Sequence, residues 1–335
     1  MTQACLSLNE TSEIGDARRT TLRMADQAGF SETRRGEIAI VVTELATNLI
    51  RHAVDGQLFV QRLCSAGAEW FEMLAVDRGP GMTDVQRCLQ DGYSTAGTPG
   101  NGFGAIRRLS DEFDVFSTEA KGTVVLSRFR LDTACAPSQF AVGATSQPAP
   151  NEAVCGDIWR VTAHGDHVAV MVADGLGHGS AAAEAAEGAA SVFESDPFLD
   201  DATFYQRLHQ RLAGTRGAAL ARAIVHAGRV SYTGVGNISG SLIGPHESRG
   251  LPSQNGIVGA ESRRIATNPS YDWPARGLLL MHSDGLVSRW TLNAYPGLVL
   301  RHPAIIAAVL ARDYTRGRDD VTVVAVRTPE RSTVQ

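Results

Sequence analysis

The spacing of apolar positions divides the chain into several short strands and a few longer helices. Between residues 31 and 53, apolar side chains recur at helical spacing and form one stripe, which predicts an amphipathic helix packed on a core. Short apolar runs rich in β-branched residues, such as 168–172, are typical of buried strands. The same patterns predict strands at 58–63, 70–76, 140–145, 218–226, 229–235, 239–243, 278–282 and 321–326, and helices at 13–28, 180–193 and 202–212. The chain is therefore expected to have a mixed α/β fold.

Acidic residues stand where several of these strands begin or end. Asp174 and Asp284 each end an apolar run and are each followed by a glycine, which indicates a tight turn. Asp157 opens another strand, and Asp319 and Asp320 stand directly before the last one. Carboxylates collected at strand ends can hold hard divalent cations through oxygen ligands, whereas a single exposed aspartate cannot. The pattern predicts a metal site in the second half of the chain.

A second set of polar residues lies in the first half. Glu44 and Asn48 are four residues apart on the amphipathic helix and share a face, although that pair alone more often marks a polar shoulder. Asp77 ends a strand and precedes a Gly-Pro-Gly turn, where its carboxylate could accept a hydrogen bond from an exocyclic amine. The glycine-rich segment 100–104 runs into a helix, whose N-terminus is a suitable place for phosphates. The ordered series is more specific than any one of its parts.

Composition narrows the possible functions. The 335 residues and 43% hydrophobic content suffice for two domains, and the net charge of −5 without a basic stripe argues against nucleic acid as a partner. Lys121 is the single lysine among 31 basic residues, and it lies in neither a P-loop nor a eukaryote-type kinase motif. Any nucleotide chemistry must therefore use another scaffold.

The cysteines and the N-terminal sequence indicate the cellular compartment of the protein. The five cysteines are odd in number and widely spaced, which favours reduced, partly buried thiols over a disulfide framework or a zinc site. The chain lacks a signal-peptide pattern at its start and an apolar run long enough to span a membrane. We therefore expect a cytoplasmic protein without a membrane partner.

Residues 1–131 resemble the GHKL, or Bergerat-fold, ATPase domain, and in particular the anti-sigma and RsbT-like serine kinases that act on STAS-domain switch proteins. The segments that carry this resemblance are Thr43-Glu44-Leu45-Ala46-Thr47-Asn48, Val76-Asp77-Arg78-Gly79-Pro80-Gly81, Gly100-Asn101-Gly102-Phe103-Gly104 and Arg108-Leu109-Ser110-Asp111-Glu112-Phe113.

This resemblance implies an ATP site with Mg²⁺. Asn48 would ligate the ion, Asp77 would bind the adenine amine, and Glu44 would be the general base for a serine hydroxyl attacking the γ-phosphate. The nucleotide pocket would be shaped by the glycines Gly79, Gly81, Gly100, Gly102 and Gly104. The same pocket could also bind ATP without transferring its phosphate.

The second half resembles the SpoIIE-type branch of the metal-dependent PPM phosphatases, closest to RsbX-like members. The segments that carry this resemblance are Cys155-Gly156-Asp157-Ile158-Trp159, Val172-Ala173-Asp174-Gly175-Leu176-Gly177-His178-Gly179, His282-Ser283-Asp284-Gly285 and Asp319-Asp320-Val321-Thr322.

That resemblance implies a site for two Mn²⁺ or Mg²⁺ ions that activate a water. Asp174 would bridge the ions, and the Gly175 carbonyl, Asp284 and Asp319 would complete the shell, with Asp157 acting at the edge. His178 invites a general-acid role, but supporting a metal ligand or forming the turn is at least as well supported. Asp320 could simply shape its turn, and the segment 234–237 is expected to be a hairpin turn.

Together the resemblances imply a fold class and a domain order. We expect a Bergerat-fold sheet covered by helices at 1–131, a linker at 132–138 and a PPM-type α-β-β-α sandwich at 139–335. The implied function is a bifunctional partner-switching regulator, a serine kinase joined to a phosphoserine/phosphothreonine phosphatase, acting on STAS-type regulators. The alternative is a phosphatase whose first domain only senses ATP or binds a partner. A homodimer through the first domain is also possible by analogy.

Overall fold

The computed structural model describes residues 3–88, 102–131, 135–136, 138–245, 247–260, 270–274 and 276–328. Its strands form three antiparallel sheets of five strands each within this described part of the chain. The expected mixed α/β fold is confirmed. The chain divides into two compact units, the first built from Met1–Cys64, Ala68–Cys135 and Thr291–Arg312, and the second from Ser65–Gly67, Ala136–Trp290 and Asp313–Gln335.

The helices and strands are numbered in chain order. The helices are α1 Glu13–Gln27, α2 Glu32–His52, α3 Val85–Cys88, α4 Gly102–Leu109, α5 Ser180–Ser195, α6 Asp201–Leu212 and α7 Pro303–Tyr314. The strands are β1 Gln3–Leu8, β2 Gly56–Ser65, β3 Ala68–Val76, β4 Glu112–Ser117, β5 Thr123–Arg130, β6 Ala141–Gln147, β7 Asp157–His164, β8 His167–Gly175, β9 Ala218–His226, β10 Arg229–Val235, β11 Ser239–Ile243, β12 Ser248–Leu251, β13 Ser270–Asp272, β14 Leu278–His282 and β15 Val321–Arg327.

The first unit contains a single sheet, and α1, α2 and α4 pack on one face of it. Its strand order is β1-β2-β3-β5-β4, and the apolar stripe of α2 packs into one core with α1, α4 and the inner face of the sheet. The hydroxyl of Ser31 accepts a hydrogen bond from the Arg34 amide and so caps α2 at its start. The sequence pattern therefore predicted both the helix and the face that it buries.

A buried ion pair lies on the same sheet. The register places Glu72, Arg128 and Glu112 in one row across β3, β5 and β4. The guanidinium of Arg128 contacts the Glu72 carboxylate at 2.6 Å, and these two side chains are 1% and 0% exposed. Gln61 donates to the other oxygen of Glu72 at 2.7 Å, so that carboxylate is held on both sides. Buried charges are tolerated only when they are paired in this way.

Replacing Arg128 by methionine is expected to destabilise the protein by about 3–5 kcal/mol, because Glu72 would keep a buried charge without its cation. The matched control is Arg62→Met, since the Arg62 pair with Glu69 on the same sheet is 34% and 19% exposed. That pair should contribute only about 0–1 kcal/mol. Urea unfolding of both variants measures the difference, and equal losses of stability would contradict the assignment.

One disulfide corrects the expectation that all the cysteines are reduced. Cys64 and Cys135 are bonded, with their Cα atoms 6.5 Å apart. Cys5, Cys88 and Cys155 are free thiols. The two bonded residues are 71 positions apart in sequence, and only the folding of the sheet brings the end of β2 next to the chain that follows β5. Spacing along the chain could not have revealed this pair.

The second unit contains two sheets and the helices α5 and α6. One sheet has the order β13-β10-β9-β8-β7 and packs its apolar face against both helices, and the other has the order β12-β11-β14-β15-β6. Arg222 of β9 is buried in the first of these sheets, where its guanidinium lies 4.0 Å from the Phe204 ring and pairs with Asp201. The sheets therefore supply strand ends at which the acids can meet.

The structure corrects the interpretation of residues 234–237 as a hairpin turn. β10 pairs with β9 and β13, whereas β11 pairs with β12 and β14, so the segment connects two different sheets. Local glycine content predicts a turn but cannot show which strands it joins.

Two further observations concern the boundary and the helices. The predicted linker at 132–138 falls partly on residues 132–134 and 137, outside the described residues, and its position stays a prediction. Within the described part of the chain, no helix is both long enough and apolar enough to cross a bilayer.

Candidate functional site

The first unit brings Glu44 and Asn48 of α2 close to the start of α4. A Cβ placed on Gly102 would lie 2.8 Å from a carboxylate oxygen of Glu44 and 3.9 Å from the amide oxygen of Asn48. A larger residue at 102 would therefore force the Glu44 carboxylate to move. The amide nitrogen of Asn48 is buried, and among the residues that the structure describes none forms a hydrogen bond with it, so this donor is available to a ligand.

Asp77 lies at the end of β3, in a closely packed turn. Its carboxylate accepts a hydrogen bond of 2.6 Å from the Gly79 amide, and burial raises its pKa above the ordinary value despite that bond. A Cβ at Gly81, where φ is +70°, would lie 2.2 Å from the Thr118 carbonyl oxygen. Only glycine allows the two turns to approach so closely.

The sequence-predicted nucleotide residues are thus partly brought together. Glu44, Asn48 and Gly102 share one corner, while Asp77, Gly79 and Gly81 form the turn after β3. Gly104 is buried within α4. Gly100 lies outside the described residues.

In the second unit, strand register brings two of the predicted acids face to face. Asp157, at the start of β7, pairs directly with Asp174 near the end of β8. Directly opposite residues in an antiparallel pair point to the same face of the sheet. Asp157 is buried and accepts a hydrogen bond of 2.6 Å from the Ser283 hydroxyl.

The side-chain amide of Asn237 links Asp284 to Asp174. The Asn237 side chain donates to the carboxylates of Asp284 at 2.6 Å and Asp174 at 3.5 Å, so one nitrogen spans both acids. Asn237 was not predicted as a site residue, because its Gly-Asn context indicated only a turn. Ser283 was also missed, and the signal available was its position next to Asp284.

Asp319 and Asp320 complete the cluster before β15. Asp319 accepts a hydrogen bond from the Asp320 amide, while Asp320 is buried and accepts one of 2.8 Å from the Ala149 amide. Asp320 therefore also contacts a segment outside its own turn. A Cβ at Gly285 would lie 1.9 Å from the Asp320 carbonyl oxygen, so this glycine lets the two acidic turns approach each other.

The electrostatics of the cluster follow from this convergence. Burial, together with the charges of Asp284 and Asp319, raises the pKa of Asp174 to about 7. The pKa of Asp157 also lies well above its ordinary value, mainly because of burial and then because of Asp174. Burial raises the pKa of Asp320 as well. Several carboxylates in one place resist ionisation unless positive charge is supplied.

The residues present fit divalent cations. One carboxylate oxygen of Asp157 and one of Asp320 are buried and accept no hydrogen bond from the part of the chain that the structure describes. The acidic donors offer oxygen only, which suits Mg²⁺ and Mn²⁺. These carboxylates together carry more negative charge than one divalent ion can offset, so the donor set suits a pair of ions.

Gly175 and His178 have different surroundings. A Cβ at Gly175 would lie 2.0 Å from the Ala182 carbonyl oxygen, so the start of α5 packs directly on this turn. The imidazole of His178 is 60% exposed and lies 2.6 Å from a carboxylate oxygen of Glu152. Glu152 is therefore the group that orients the His178 ring.

The fold and these sites belong to a protein that joins a histidine kinase-like ATPase domain to a SpoIIE domain. Residues 8–129 match the family described as "Histidine kinase-like ATPase domain", and residues 164–329 match "Stage II sporulation protein E (SpoIIE)". The chain belongs to the RsbT-like branch of the first family in its N-terminal part and carries a SpoIIE phosphatase domain after it. The sequence-based family assignments are confirmed.

Individual relatives match parts of the chain. The serine/threonine-protein kinase RsbT of Bacillus subtilis (strain 168) is 31% identical over 123 residues, which cover 37% of this chain and 92% of RsbT. The anti-sigma F factor of Thermoanaerobacter sp. (strain X514) is 27% identical over 124 residues, covering 35% of this chain and 85% of the factor. A chain from the structure described as "The bacterial stressosome: a modular system that has been adapted to control secondary messenger signaling" is 28% identical, with a TM-score of 0.53, and the match covers 56% of this chain and 99% of that one.

Proposed function

We propose that this protein is a bifunctional partner-switching regulator: an ATP-dependent serine kinase joined to a metal-dependent phosphoserine/phosphothreonine phosphatase acting on STAS-type regulators. The observation that carries the phosphatase half is the cluster of Asp157, Asp174, Asp284, Asp319 and Asp320. Two of its buried oxygens, one each on Asp157 and Asp320, have no hydrogen-bond donor among the described residues, and the pKa of Asp174 is raised to about 7. Such a cluster is costly without cations and becomes favourable with them.

The phosphatase residues have distinct roles in this proposal. Asp174, Asp284, Asp319 and the Gly175 carbonyl would hold two Mn²⁺ or Mg²⁺ ions, which supply charge against the phosphoryl oxygens and acidify a water. Asn237 holds the Asp174 and Asp284 carboxylates side by side by donating to both. Ser283 fixes one oxygen of Asp157 and leaves the other available to an ion.

The Ser283 hydroxyl also ties the acids to the sheet. It donates to Asp157 and accepts a hydrogen bond of 3.0 Å from the Thr322 amide of β15. Thr322 in turn shares a hydrogen bond of 2.6 Å with the Ser146 hydroxyl of β6. Asp157 is thereby connected through Ser283 to Thr322 of β15 and Ser146 of β6. This network limits the movement of the Asp157 side chain when substrate binds.

The kinase half rests on the corner formed by α2 and α4. Asn48 would ligate the Mg²⁺ of ATP, and Asp77 would accept a hydrogen bond from the adenine amine. Glu44 would accept the proton of a serine hydroxyl while the serine oxygen bonds to the γ-phosphorus of ATP. The bond between the γ-phosphorus and the oxygen of the β-phosphate would break at the same time, releasing ADP. Similarity to RsbT supports this assignment but concerns a different protein.

Two assays on the full chain test the proposal. With Mn²⁺ present, a phosphorylated STAS-domain protein should lose its phosphate, and a chelator should stop the reaction. With labelled ATP and Mg²⁺, the unphosphorylated protein should become labelled on serine or threonine. Hydrolysis that persists in excess chelator would refute the phosphatase half, and nucleotide binding without transfer to any STAS protein would refute the kinase half.

A second candidate function is nucleotide control of the phosphatase. The segment Thr291–Arg312 lies within the stretch that matches the SpoIIE family, yet it packs in the first compact unit. There Arg312 near the end of α7 donates a hydrogen bond of 2.9 Å to the Asp77 carbonyl oxygen, and the Arg78 guanidinium donates to the Arg312 carbonyl oxygen. A helix of the SpoIIE-matched stretch is thereby bonded to the turn that carries the predicted adenine contact.

The same segment has further contacts with the sheet of the first unit. The Arg128 guanidinium shares a hydrogen bond of 3.0 Å with His302, and the His302 amide donates to the Asp114 carboxylate at 2.9 Å. The chain that leaves this segment reaches Asp319 a few residues later. If this control operates, a non-hydrolysable ATP analogue will change the rate in the phosphatase assay, and an unchanged rate at saturating analogue will reject it.

A further inference from the structure

A cluster of imidazoles lies at one end of the helix-covered sheet in the second unit, where two tight turns come side by side. The first turn, Gly165-Asp166, joins β7 to β8, and the second, Ala227-Gly228, joins β9 to β10. Because β8 and β9 are antiparallel neighbours in the sheet, both turns lie at the same end of its strands. His167 is the first residue of β8 and His226 is the last residue of β9.

The side chains of Asp166, His167 and His226 converge. One ligand atom from each lies within 4.8 Å of the other two. The two imidazole rings are stacked, with centroids 3.6 Å apart and planes inclined by 18°. The Nδ1 atom of His167 lies 2.9 Å from a carboxylate oxygen of Asp166. Sheet register produces this arrangement, because the adjacent pair is Val168 with Val225.

The surroundings leave the cluster accessible. Phe198, from the connection between α5 and α6, packs edge-on against the His167 ring and shields one side of it. The cationic neighbour in the register, Arg229 opposite His226, is directed to Asp272 and Ser270 instead. Asp166 and His226 are exposed and His167 is half-buried, so an ion could enter from solvent.

We propose that Asp166, His167 and His226 form a binding site for a divalent transition ion of the zinc class, separate from the acids at the other strand ends. Two imidazoles and one carboxylate are a frequent donor set for such ions. In the alternative, the three residues bind no ion and form only a surface ion pair and a ring stack. The outward nitrogens of both imidazoles would then be hydrated.

The donor chemistry distinguishes this site from the acidic cluster. The acids offer oxygen ligands, which suit Mg²⁺ and Mn²⁺, whereas imidazole nitrogen favours Zn²⁺, Ni²⁺ or Cu²⁺. An excess of Mg²⁺ should therefore fill the acidic cluster without competing at the imidazoles. This difference allows the two sites to be measured independently in one protein.

Binding requires a small rearrangement of the rings. The lone pair of an imidazole nitrogen lies in the ring plane, so an ion cannot bind both rings while they stay nearly parallel. Rotation about the side-chain bonds would open the stack and direct both nitrogens to one point. The ion would then connect the β7–β8 turn to the end of β9 and stabilise this end of the sheet.

Zinc titration of the full chain tests the site. The protein is stripped with a chelator, returned to excess Mg²⁺ and titrated calorimetrically with Zn²⁺. We expect one binding event of micromolar or tighter affinity, weakened at least about tenfold in both His167→Ala and His226→Ala. Co²⁺ in place of Zn²⁺ should give visible absorption bands that both substitutions remove.

The controls separate this site from other zinc binding. His52→Ala removes one exposed imidazole from the first unit and should leave the affinity unchanged. Asp174→Asn should also leave it unchanged, because it alters only the acidic cluster. The proposal fails if binding is only millimolar, if neither His167→Ala nor His226→Ala weakens it, or if Asp174→Asn alone abolishes it. Circular dichroism of each variant verifies that the fold is retained.

Discussion

Replacing Asp174 by asparagine is expected to abolish phosphoserine hydrolysis and, at the same time, to stabilise the metal-free protein at pH 8. Hydrolysis should fall at least about a thousandfold, because the proposed bridging carboxylate is lost from the two-ion site. The amide keeps the shape of the side chain and its place beside Asn237, so the sheet should fold as before. Nucleotide binding in the first unit serves as the check that the chain is intact.

The stability gain follows from the raised pKa of Asp174. That pKa lies at about 7 in the folded protein, against an ordinary value of 3.8. Between these values the folded state retains a proton that the unfolded state has released, so stability decreases as pH rises through this window. At pH 8 the ionised carboxylate costs about 2–4 kcal/mol, a cost that asparagine removes. The advantage of the variant should shrink towards zero as pH falls to about 4.

Thermal melting of metal-free wild type and variant between pH 4 and pH 8 measures this difference. Mn²⁺ should stabilise the wild type much more than the variant, because bound ions offset the effects of burial and of the neighbouring Asp284 and Asp319 charges, which raise the Asp174 pKa. Asp272→Asn is the matched control, since the Asp272 side chain is 87% exposed and pairs with Arg229 away from the acids. A variant that still hydrolyses the phosphorylated partner, or that is less stable than wild type at pH 8, would contradict the assignment.

Replacing Glu44 by glutamine is expected to reduce phosphotransfer from ATP by about 10²–10⁴-fold while ATP still binds. Glutamine preserves the shape of the side chain beside Gly102 but cannot accept the proton of a serine hydroxyl. The loss should therefore appear in the rate of transfer at saturating ATP, with a much smaller change in nucleotide affinity. Single-turnover transfer from labelled ATP to a STAS partner provides the measurement.

Glu37→Gln is the appropriate control for this substitution. Glu37 lies on the same helix and pairs with Arg34 near the surface, with both side chains 30% exposed. It should leave transfer unchanged. If Glu44→Gln transfers phosphate as fast as wild type, another group takes the proton. If both variants lose transfer equally, the effect comes from the helix and not from the carboxylate.

Local pattern was sufficient for most of the elements that carry the sites. The apolar stripe of α2, the runs of β8 and β14 and the glycines after them were all visible in the sequence and lie where they were expected. The helix α7 was not predicted, because residues 303–311 are buried throughout and show no polar face to mark a helical period. Strands β4 and β5 were not among the strands predicted from the apolar runs.

The site residues divide in the same way. Asp157, Asp174, Asp284 and Asp319 could be selected because each stands near the start or the end of an apolar run, which is a property of the chain itself. Asn237 could not be selected, since its contact with Asp174 and Asp284 depends on a connection that crosses from one sheet to the other. The Cys64–Cys135 bond likewise depends on two chain segments that meet only in the folded sheet.

The sequence by itself determined the families, most of the elements and the acids of the predicted metal site, because periodicity, turn residues and motifs are encoded over a few consecutive positions. Only the tertiary structure decided which acids share a charge environment, which amide spans them, and that Thr291–Arg312 packs in the first unit. The physical reason is that pKa values, buried pairs and shared hydrogen bonds depend on distances between residues far apart in the chain. Strand register and sheet packing set those distances after the local elements have formed.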